Sequence, residues 1–304
     1  MISVIICTHN PHPNYLARCA TALQAQTLPR GRWELIVIDN ASAPDKTPRL
    51  DLSWHPAARL ISEEKLGLTP ARLRGMREAR GDLLVFVDDD NVLDVDFLEA
   101  ALITAQEKTF LGSWSGQCRP EFEEPPPVWT RRYWGNLVIR EFENDAWSNI
   151  PRLPTTMPCG AGLCVRKLVA QHYVHLHESG RRPVQFDRVG GSLLSGGDND
   201  LAACACDVGL GVGIIASLRL THLISSERLT EEYFVRLTES IHYSSTMLDS
   251  LRGIRIGPRS LFGRVSDFLR IMRLKGPHRQ ILRAAYRGRK RAAQKIIEGQ
   301  VALP

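Results

Sequence analysis

The apolar residues of this chain cluster in short runs that end in polar or acidic residues. The runs at residues 2–7, 33–38 and 83–87 are each the length of one strand and are rich in Val, Ile and Leu. The polar residues that follow them are, in chain order, Thr8-His9-Asn10, Asp39-Asn40 and Asp88-Asp89-Asp90. This pattern predicts buried strands whose carboxyl ends open towards solvent or a ligand.

Helical patterns separate these runs, at about residues 14–26, 69–80 and 95–107. Strands that alternate with helices predict an α/β fold with a mainly parallel central sheet, right-handed crossovers and helices on both faces. In such a sheet the ends of parallel strands lie at one edge, where open α/β sheets bind their ligands. We therefore expect Thr8, Asp39 and the three consecutive aspartates to lie close together.

The three consecutive aspartates predict a cation site. Adjacent carboxylates repel one another, so the fold must offset their charge with a cation, hydrogen bonds or solvent. Asp88 and Asp90 point the same way on an extended backbone, and we expect them to share a metal ion and a nucleotide. Asp89 points the other way and is expected to be structural. A solvated acidic turn after a strand is the alternative.

Beyond residue 110 the alternation of strand and helix is lost. Tryptophan and proline are frequent in residues 110–158, where a mixed and partly irregular structure is expected. Gly160 and Gly162 precede a strand-like run and would let a ligand approach the backbone, although a bulge or tight bend explains them equally well. Asp198 and Asp200 precede an Ala-rich helix, where a carboxylate is either a helix cap or a base presented to a ligand.

The last fifty residues are strongly basic. Residues 252–304 contain 14 Lys or Arg but only two acidic residues, while residues 1–251 carry a net charge of about −6. This tail is expected to be helical and to divide at Gly276-Pro277, with an amphipathic helix in its first part and a cluster of Lys and Arg in its second part. A basic amphipathic helix is typical of a membrane surface or an acidic partner. Packing of its apolar stripe on the protein's own body is the alternative. Nucleic-acid motifs are absent.

Length and composition bound the remaining possibilities. A chain of 304 residues with 43% hydrophobic and 24% charged residues is typical of a globular protein. No apolar run approaches the roughly 20 residues needed to span a bilayer, so we expect a cytoplasmic protein. The seven cysteines are odd in number and mostly occur singly among apolar residues, so we expect reduced thiols rather than a disulfide framework or a zinc site.

Five motifs in this order make the chain resemble the inverting glycosyltransferases of family 2, which have the GT-A fold. The resemblance runs from about residue 2 to residue 243. The motifs are Ser3-Val4-Ile5-Ile6-Cys7-Thr8-His9-Asn10, Glu34-Leu35-Ile36-Val37-Ile38-Asp39-Asn40-Ala41-Ser42, Ala71-Arg72-Leu73-Arg74-Gly75 before Val87-Asp88-Asp89-Asp90-Asn91, Cys159-Gly160-Ala161-Gly162-Leu163, and Gly197-Asp198-Asn199-Asp200-Leu201.

The resemblance implies a role for each matching position. The residues implied in donor binding are Thr8, Asn10, Asp39, Arg72, Asp88, Asp89, Gly160 and Gly162. Asp90 matches the metal ligand of the family's DxD element, and His222 falls where many such enzymes place a late metal or diphosphate contact. Asp198 matches the general base and Asp200 its supporting acid. The family often has an acidic residue directly before the base, and because Gly197 stands there, either aspartate could be the base.

The resemblance implies an inverting transfer that depends on Mn²⁺ or Mg²⁺. The donor would be a UDP- or dTDP-sugar and the acceptor a glycan or lipid-linked hydroxyl. The basic tail, which the resemblance does not cover, adds the expectation of a peripheral enzyme at the inner face of the cell membrane. We expect a GT-A domain at 1–251, with a nucleotide-binding half at 1–109 and an acceptor-binding and catalytic half at 110–251, followed by a basic helical tail at 252–304. Two alternatives remain, a nucleotidyltransferase and a catalytically silent relative that binds glycan or membrane.

Overall fold

A computed structural model of the chain describes residues 1–182, 186, 193–257 and 260–298. The chain forms two compact units. The first comprises residues 1–121, 138–178 and 198–224, and the second comprises residues 122–137, 179–197 and 225–304. The predicted boundaries at residues 109 and 251 stay predictions, and residues 299–304 of the predicted tail lie outside the described residues.

A nine-stranded mixed sheet forms the centre of the first unit, in the order β3-β2-β1-β4-β8-β6-β9-β5, with β7 paired to β9. Its strands are β1 (Ile2–Thr8), β2 (Trp33–Asn40), β3 (Ala58–Glu63), β4 (Leu83–Asp88), β5 (Asn91–Leu93), β6 (Leu111–Phe122), β7 (Ala146–Ser148), β8 (Leu163–Arg166) and β9 (Gly211–Ile224). The first four strands are parallel to one another. β8 pairs antiparallel with β4 and β6, and β9 pairs antiparallel with β5 and β7. Both β8 and β9 lie in the part of the chain where the alternation of strand and helix is lost.

Helices cover both faces of the sheet. The helices of this unit are α1 (Pro13–Gln24), α2 (Leu68–Glu78), α3 (Phe97–Glu107), α4 (Lys167–Glu178) and α5 (Gly197–Asp207). Alternate side chains of β4 enter two separate cores, Val85 and Val87 with α1 and α3, and Leu84 and Phe86 with α2, α4 and α5. Because successive side chains of a strand point to opposite faces, a continuous apolar run is what a sheet covered on both faces requires. The predicted α/β fold with a helical C-terminal tail is confirmed.

Two helices begin earlier than the sequence pattern predicts. Thr69 and Pro70 have the composition of a helix start, but α2 begins at Leu68 and its N-cap is Gly67. The φ of Gly67 is +138°, a backbone conformation that glycine adopts without a steric penalty. Helix α5 begins at Gly197 rather than after the aspartates, so Asp198 and Asp200 lie in its first turn.

The second unit contains the helices α6 (Glu231–Leu251), α7 (Leu261–Arg273) and α8 (Gly276–Ile297). Helix α6 packs along α8, and Phe186, Tyr243, Met247, Leu248, Leu251 and Ala292 form a small core there. The division of the tail at Gly276-Pro277 falls where α8 begins, as predicted. Among the described residues, no helix is both long enough and apolar enough to cross a lipid bilayer.

Candidate active site

The carboxyl edge of the parallel strands brings the predicted strand-end residues together. Thr8 is in register with Asp39 across the β1–β2 pair. Cys7, one residue earlier, is in register with Asp88 across the β1–β4 pair. Adjacent strands of a sheet lie about 4.8 Å apart, so the polar residues that end three separate apolar runs share one edge.

Arg72 connects this edge to the later part of the chain. Its side chain is buried, and its Nη2 lies 3.9 Å from Oδ1 of Asp88. A Cβ placed on Gly160 would lie 3.1 Å from the same Nη2 and 3.0 Å from Oδ2 of Asp198. The backbone N–H of Gly160 donates a hydrogen bond of 2.8 Å to that Oδ2. Two carboxylates from distant parts of the chain therefore lie near one buried guanidinium.

The electrostatics of this group favour a charged arginine among crowded acids. Burial acts against the charged form of Arg72, but the charges of Asp198 and Asp88 outweigh it, so the pKa of Arg72 is raised. Burial also raises the pKa of Asp88, and Arg72 opposes that rise while Asp90 adds to it. The edge thus gathers more negative charge than Arg72 offsets alone, and a bound cation would stabilise it.

Asp89 interacts with Thr8 at the end of β1. The Thr8 hydroxyl donates a hydrogen bond to Oδ2 of Asp89. Burial, followed by the charge of Asp90, raises the pKa of Asp89 to about 7, although the bond from Thr8 acts in the opposite direction. This contact inside the protein is what a structural aspartate would make. The implied donor-binding roles of Thr8 and Asp89 stay predictions.

Asp90 and His222 form a pair at the same edge. The two residues are brought together by the antiparallel pairing of β5 with β9, in which Asn91 is in register with His222. His222 is buried, and its Nε2 lies 3.1 Å from Oδ2 of Asp90. The backbone N–H of Leu223 donates to the Asp90 carbonyl at 2.9 Å, and the Asn91 side chain donates to Asp90 Oδ1 at 2.8 Å. A carboxylate oxygen and an imidazole nitrogen at this spacing suit one transition-metal ion.

Two neighbouring residues end β2 in different surroundings. Within the part of the chain that the structure describes, Oδ1 of Asp39 is buried and accepts no hydrogen bond. Asn40, for which sequence reasoning predicts no role, accepts a 2.8 Å hydrogen bond from the N–H of Gly67. Its amide donates to the carbonyls of Glu63 and Lys65. Asn40 therefore orders the turn that leads into α2, the helix that carries Arg72. An amide residue directly after Asp39 at a strand end is the signal that could have indicated this.

Asn10 connects the loop after β1 to the loop after β2. Its Oδ1 accepts a 2.9 Å hydrogen bond from the N–H of Ala43, and its own N–H donates to Oγ of Ser42 at 2.9 Å. Its φ of +50° is in the left-handed region, which asparagine tolerates better than most residues. These contacts explain an asparagine on structural grounds, and its implied donor-binding role stays a prediction.

Asp198 and Asp200 differ in exposure although both lie in the first turn of α5. Asp198 is partly exposed and contacts Gly160, whereas Asp200 is 1% exposed. A base must come within about 3 Å of the hydroxyl that it deprotonates. Between the two aspartates that sequence reasoning leaves open, the partly exposed one has the better access to a substrate.

Gly162 has a packing role that is separate from any ligand. Its φ is +64°, and a Cβ at this position would lie 2.8 Å from both Cδ2 of Leu220 and Cζ of Phe97. The tight-bend interpretation of the sequence therefore has a physical cause here. Its implied contact with the donor stays a prediction.

A second group of metal-ligating residue types lies near the C-terminal end of α5. One ligand atom each from His172, Cys204 and Asp207 lies within 4.8 Å of the others. His172 Nε2 is 3.7 Å from Oδ2 of Asp207, and Cys204 is buried. A histidine–carboxylate pair accounts for this group without an ion, but it must be controlled for in any measurement of metal binding.

Comparison with curated proteins finds glycosyltransferases that match part of the chain. Glycosyltransferase AglE of Haloferax volcanii is 32% identical over 107 residues, which are 34% of this chain and 34% of AglE. An N-acetylglucosaminyltransferase of Bradyrhizobium elkanii is 29% identical over 125 residues, which are 38% of this chain and 65% of that protein. The chain therefore spans about a third of the first relative and less than two thirds of the second.

Solved structures match nearly the whole chain at low identity. S. aureus TarS 1–349 superposes with a TM-score of 0.52 at 15% identity, over 99% of this chain and 83% of TarS 1–349. The mannosyltransferase PcManGT from Pyrobaculum calidifontis superposes with a TM-score of 0.56 at 18% identity, over 100% of this chain and 76% of PcManGT. At such identities the likeness shows the fold alone, which is the GT-A fold.

The family model described as glycosyl transferase family 2 matches residues 3–164. That range is just over half of the chain, and it includes the parallel strands, Arg72, the three consecutive aspartates and Gly160. The chain therefore belongs to glycosyl transferase family 2.

Proposed function

We propose that this protein is an inverting, divalent-cation-dependent glycosyltransferase that moves a sugar from a UDP- or dTDP-linked donor to a hydroxyl group. The observation that carries the proposal is the group at the sheet edge, in which buried Arg72 lies near both Asp88 and Asp198. Arg72 and Asp88 suit a phosphorylated donor, and Asp198 offers a base. Family membership supports sugar transfer over the nucleotidyltransferase alternative.

The donor would lie along the ends of β1, β2 and β4. TarS has been solved with UDP and with UDP-GlcNAc, and PcManGT with GDP-Man, which supports a nucleotide-sugar donor for this chain as well. The Asp39 Oδ1 that accepts no hydrogen bond within the described residues would accept the ring N–H of uracil or thymine. Asp88 would contact the ribose, and Arg72 would offset phosphate charge.

Asp90 and His222 would hold the divalent cation, which we propose to be Mn²⁺ or Mg²⁺. The pairing of an oxygen with a nitrogen ligand favours Mn²⁺ over Mg²⁺, which prefers oxygen alone. PcManGT has been solved with Mn²⁺, which supports a divalent cation in this fold. When bound, the ion would neutralise charge on the departing diphosphate.

Asp198 would act as the general base. Its carboxylate would take the proton of the acceptor hydroxyl as that oxygen bonds to the anomeric carbon and the bond from that carbon to the diphosphate breaks. A single displacement assisted by one base inverts the anomeric centre. The hydrogen bond from the Gly160 N–H would hold the carboxylate in orientation, and the burial of Asp200 supports a structural role for that residue.

The acceptor would be a glycan or a lipid-linked hydroxyl, and the protein would work at the inner face of the cell membrane. The basic tail supports this part of the proposal, because anionic lipids attract clusters of Lys and Arg. A peripheral enzyme at that surface would meet lipid-linked acceptors where they are embedded.

The test compares Asp198→Asn with Asp200→Asn. Nucleotide sugars are first screened with the wild-type protein and Mn²⁺, and activity is followed as release of the nucleoside diphosphate. We expect Asp198→Asn to lower kcat by about 10²–10⁴-fold, the usual contribution of a general base. Its affinity for the nucleoside diphosphate, measured by calorimetry with Mn²⁺, should stay at the wild-type value.

Asp200→Asn should instead lower the melting temperature, because it changes a buried group. It should lower kcat less than Asp198→Asn does. If Asp200→Asn alone abolishes turnover at unchanged stability, Asp200 is the base. If the wild-type protein binds no nucleoside diphosphate in the presence of Mn²⁺, the proposed function fails as a whole.

A further inference from the structure

The two helices of the basic tail differ in what covers their apolar faces. Helix α8 buries its small and apolar residues at Ile281, Ala284, Ala285, Gly288 and Ala292. These positions recur at helical spacing and face α6, where a Cβ on Gly288 would lie only 2.2 Å from the Glu239 carbonyl. The apolar face of α8 is therefore used within the protein.

Helix α7 leaves its apolar face exposed. The exposed large side chains on this helix are Phe262 at 85%, Val265 at 50%, Phe268 at 61%, Leu269 at 49% and Met272 at 51%. At 3.6 residues per turn they fall within an arc of about 120°. Exposed apolar residues that occur singly need no explanation, whereas a contiguous stripe marks an interaction surface.

The charges beside the stripe indicate what covers it. Between residues 260 and 298 the chain has 11 Lys or Arg and two acidic residues. Arg270 and Arg273 lie on α7 itself, next to the stripe, and both are exposed. The Arg279 guanidinium donates to the carbonyls of Leu274 and Met272, so the end of α7 is tied to the start of α8.

We propose that α7 lies in the headgroup region of an anionic lipid bilayer, with its Phe, Leu and Met side chains inserted and its arginines on lipid phosphates. An amphipathic helix with basic flanks binds membranes in this way. A second copy of the chain fits less well, since two such stripes would bring Arg270 and Arg273 of each copy together. The inference rests on the proposed membrane contact, and it assigns that contact to α7 rather than to the whole tail.

The experiment is sedimentation of the protein with vesicles of phosphatidylcholine alone and with vesicles that also contain phosphatidylserine, whose anionic headgroups attract basic segments. The double variant Phe268→Ser/Leu269→Ser removes the centre of the stripe. We expect its partition onto anionic vesicles to fall by about tenfold or more, while its melting temperature stays at the wild-type value. Val128→Ser, at a residue of the same unit that is 91% exposed, is the matched control and should bind like wild type.

The outcomes separate this inference from the proposed function. If the wild-type protein binds neither vesicle, the proposed membrane contact is wrong, while sugar transfer is tested independently. If the double variant binds anionic vesicles as wild type does, α7 is not the contact and the inference fails. If light scattering shows a wild-type dimer that the double variant loses, the stripe is covered by a second copy and the inference is also overturned.

Discussion

The acidic edge of the sheet and the basic tail both concentrate charge of one sign, but they hold it differently. At the edge, Arg72 is buried and Asp88 and Asp89 are partly buried, and each aspartate interacts with an identifiable partner, Arg72 or Thr8. In the tail, most Lys and Arg side chains of α8 are exposed and some share one acceptor, Glu239. The interactions at the edge therefore depend on the positions of individual atoms, whereas those of the tail depend on its total charge.

This difference follows from the dielectric surroundings. A buried charge interacts strongly with its neighbours and pays for lost hydration, so removing one partner changes the pKa and energy of the others. An exposed ion pair is screened by water and salt and contributes roughly 0–1 kcal/mol. Single substitutions should therefore have large effects at the edge and small effects along the tail.

Apart from loss of the base itself, the largest effect should come from Asp90→Asn. The change removes the carboxylate beside His222 and leaves an amide, which is a poor metal ligand. We expect turnover to fall by at least about 100-fold, since weaker perturbations around metal sites already cost 10–100-fold. Calorimetry should show that nucleoside diphosphate binding no longer responds to Mn²⁺.

The His172, Cys204 and Asp207 group supplies the control for that measurement. Any Mn²⁺ bound there would persist in Asp90→Asn and disappear in His172→Ala, so both variants are titrated. If Asp90→Asn keeps wild-type turnover and a wild-type response to Mn²⁺, the acidic edge is not the cation site and the contrast with the tail disappears.

A smaller effect is expected from Gly160→Ala. The φ of Gly160 is not positive, so alanine can adopt the same backbone conformation. Its Cβ, however, would lie 3.0 Å from Asp198 Oδ2 and 3.1 Å from Arg72 Nη2. Both side chains must shift by a few tenths of an ångström. Because misplacement by 1 Å can cost about 100-fold, we expect a loss in kcat of about tenfold with little change in melting temperature.

Gly135→Ala is the matched control, because nothing lies within 4 Å of a Cβ at that position. It should retain wild-type kcat. A Gly160→Ala variant with unchanged kcat would mean that the close contacts of Gly160 with Asp198 and Arg72 do not position these side chains for turnover.

The acidic edge could be predicted in part because its strands are continuous apolar runs. Three such runs, each followed by polar residues, predict parallel strands. Because the carboxyl ends of parallel strands lie at one edge of a sheet, the polar residues are predicted to share that edge. The pairing of Asp90 with His222 could not be derived this way. It depends on β5, which is only three residues long, meeting the far end of β9. Only the family resemblance implied a metal or diphosphate contact for His222.

Other features depended on backbone conformation that composition does not reveal. Thr69-Pro70 has the composition of a helix start, yet the φ of Gly67 sets the beginning of α2. Residues 211–224 form one long strand, β9, which pairs with β7 near its start and with β5 near its end. The sequence also does not show which of the two tail helices has its apolar stripe covered, because α7 and α8 both combine an apolar stripe with a basic face.

The smallest effect, and the test of the tail, is Arg287→Gln compared with Gly288→Ala. Arg287 is 53% exposed and lies 2.9 Å from Glu239, which also contacts Arg291. Because the carboxylate keeps a partner, Arg287→Gln should lower the free energy of unfolding by no more than about 1 kcal/mol, and by less at high salt.

Gly288→Ala, one residue later, would force a Cβ into the α6 backbone and should cost about 1–3 kcal/mol at any salt concentration. Urea unfolding at two salt concentrations measures both. If Arg287→Gln is the more damaging change, the charges of the tail act individually, as those of the acidic edge do, and the two regions do not differ in the way that their exposure indicates.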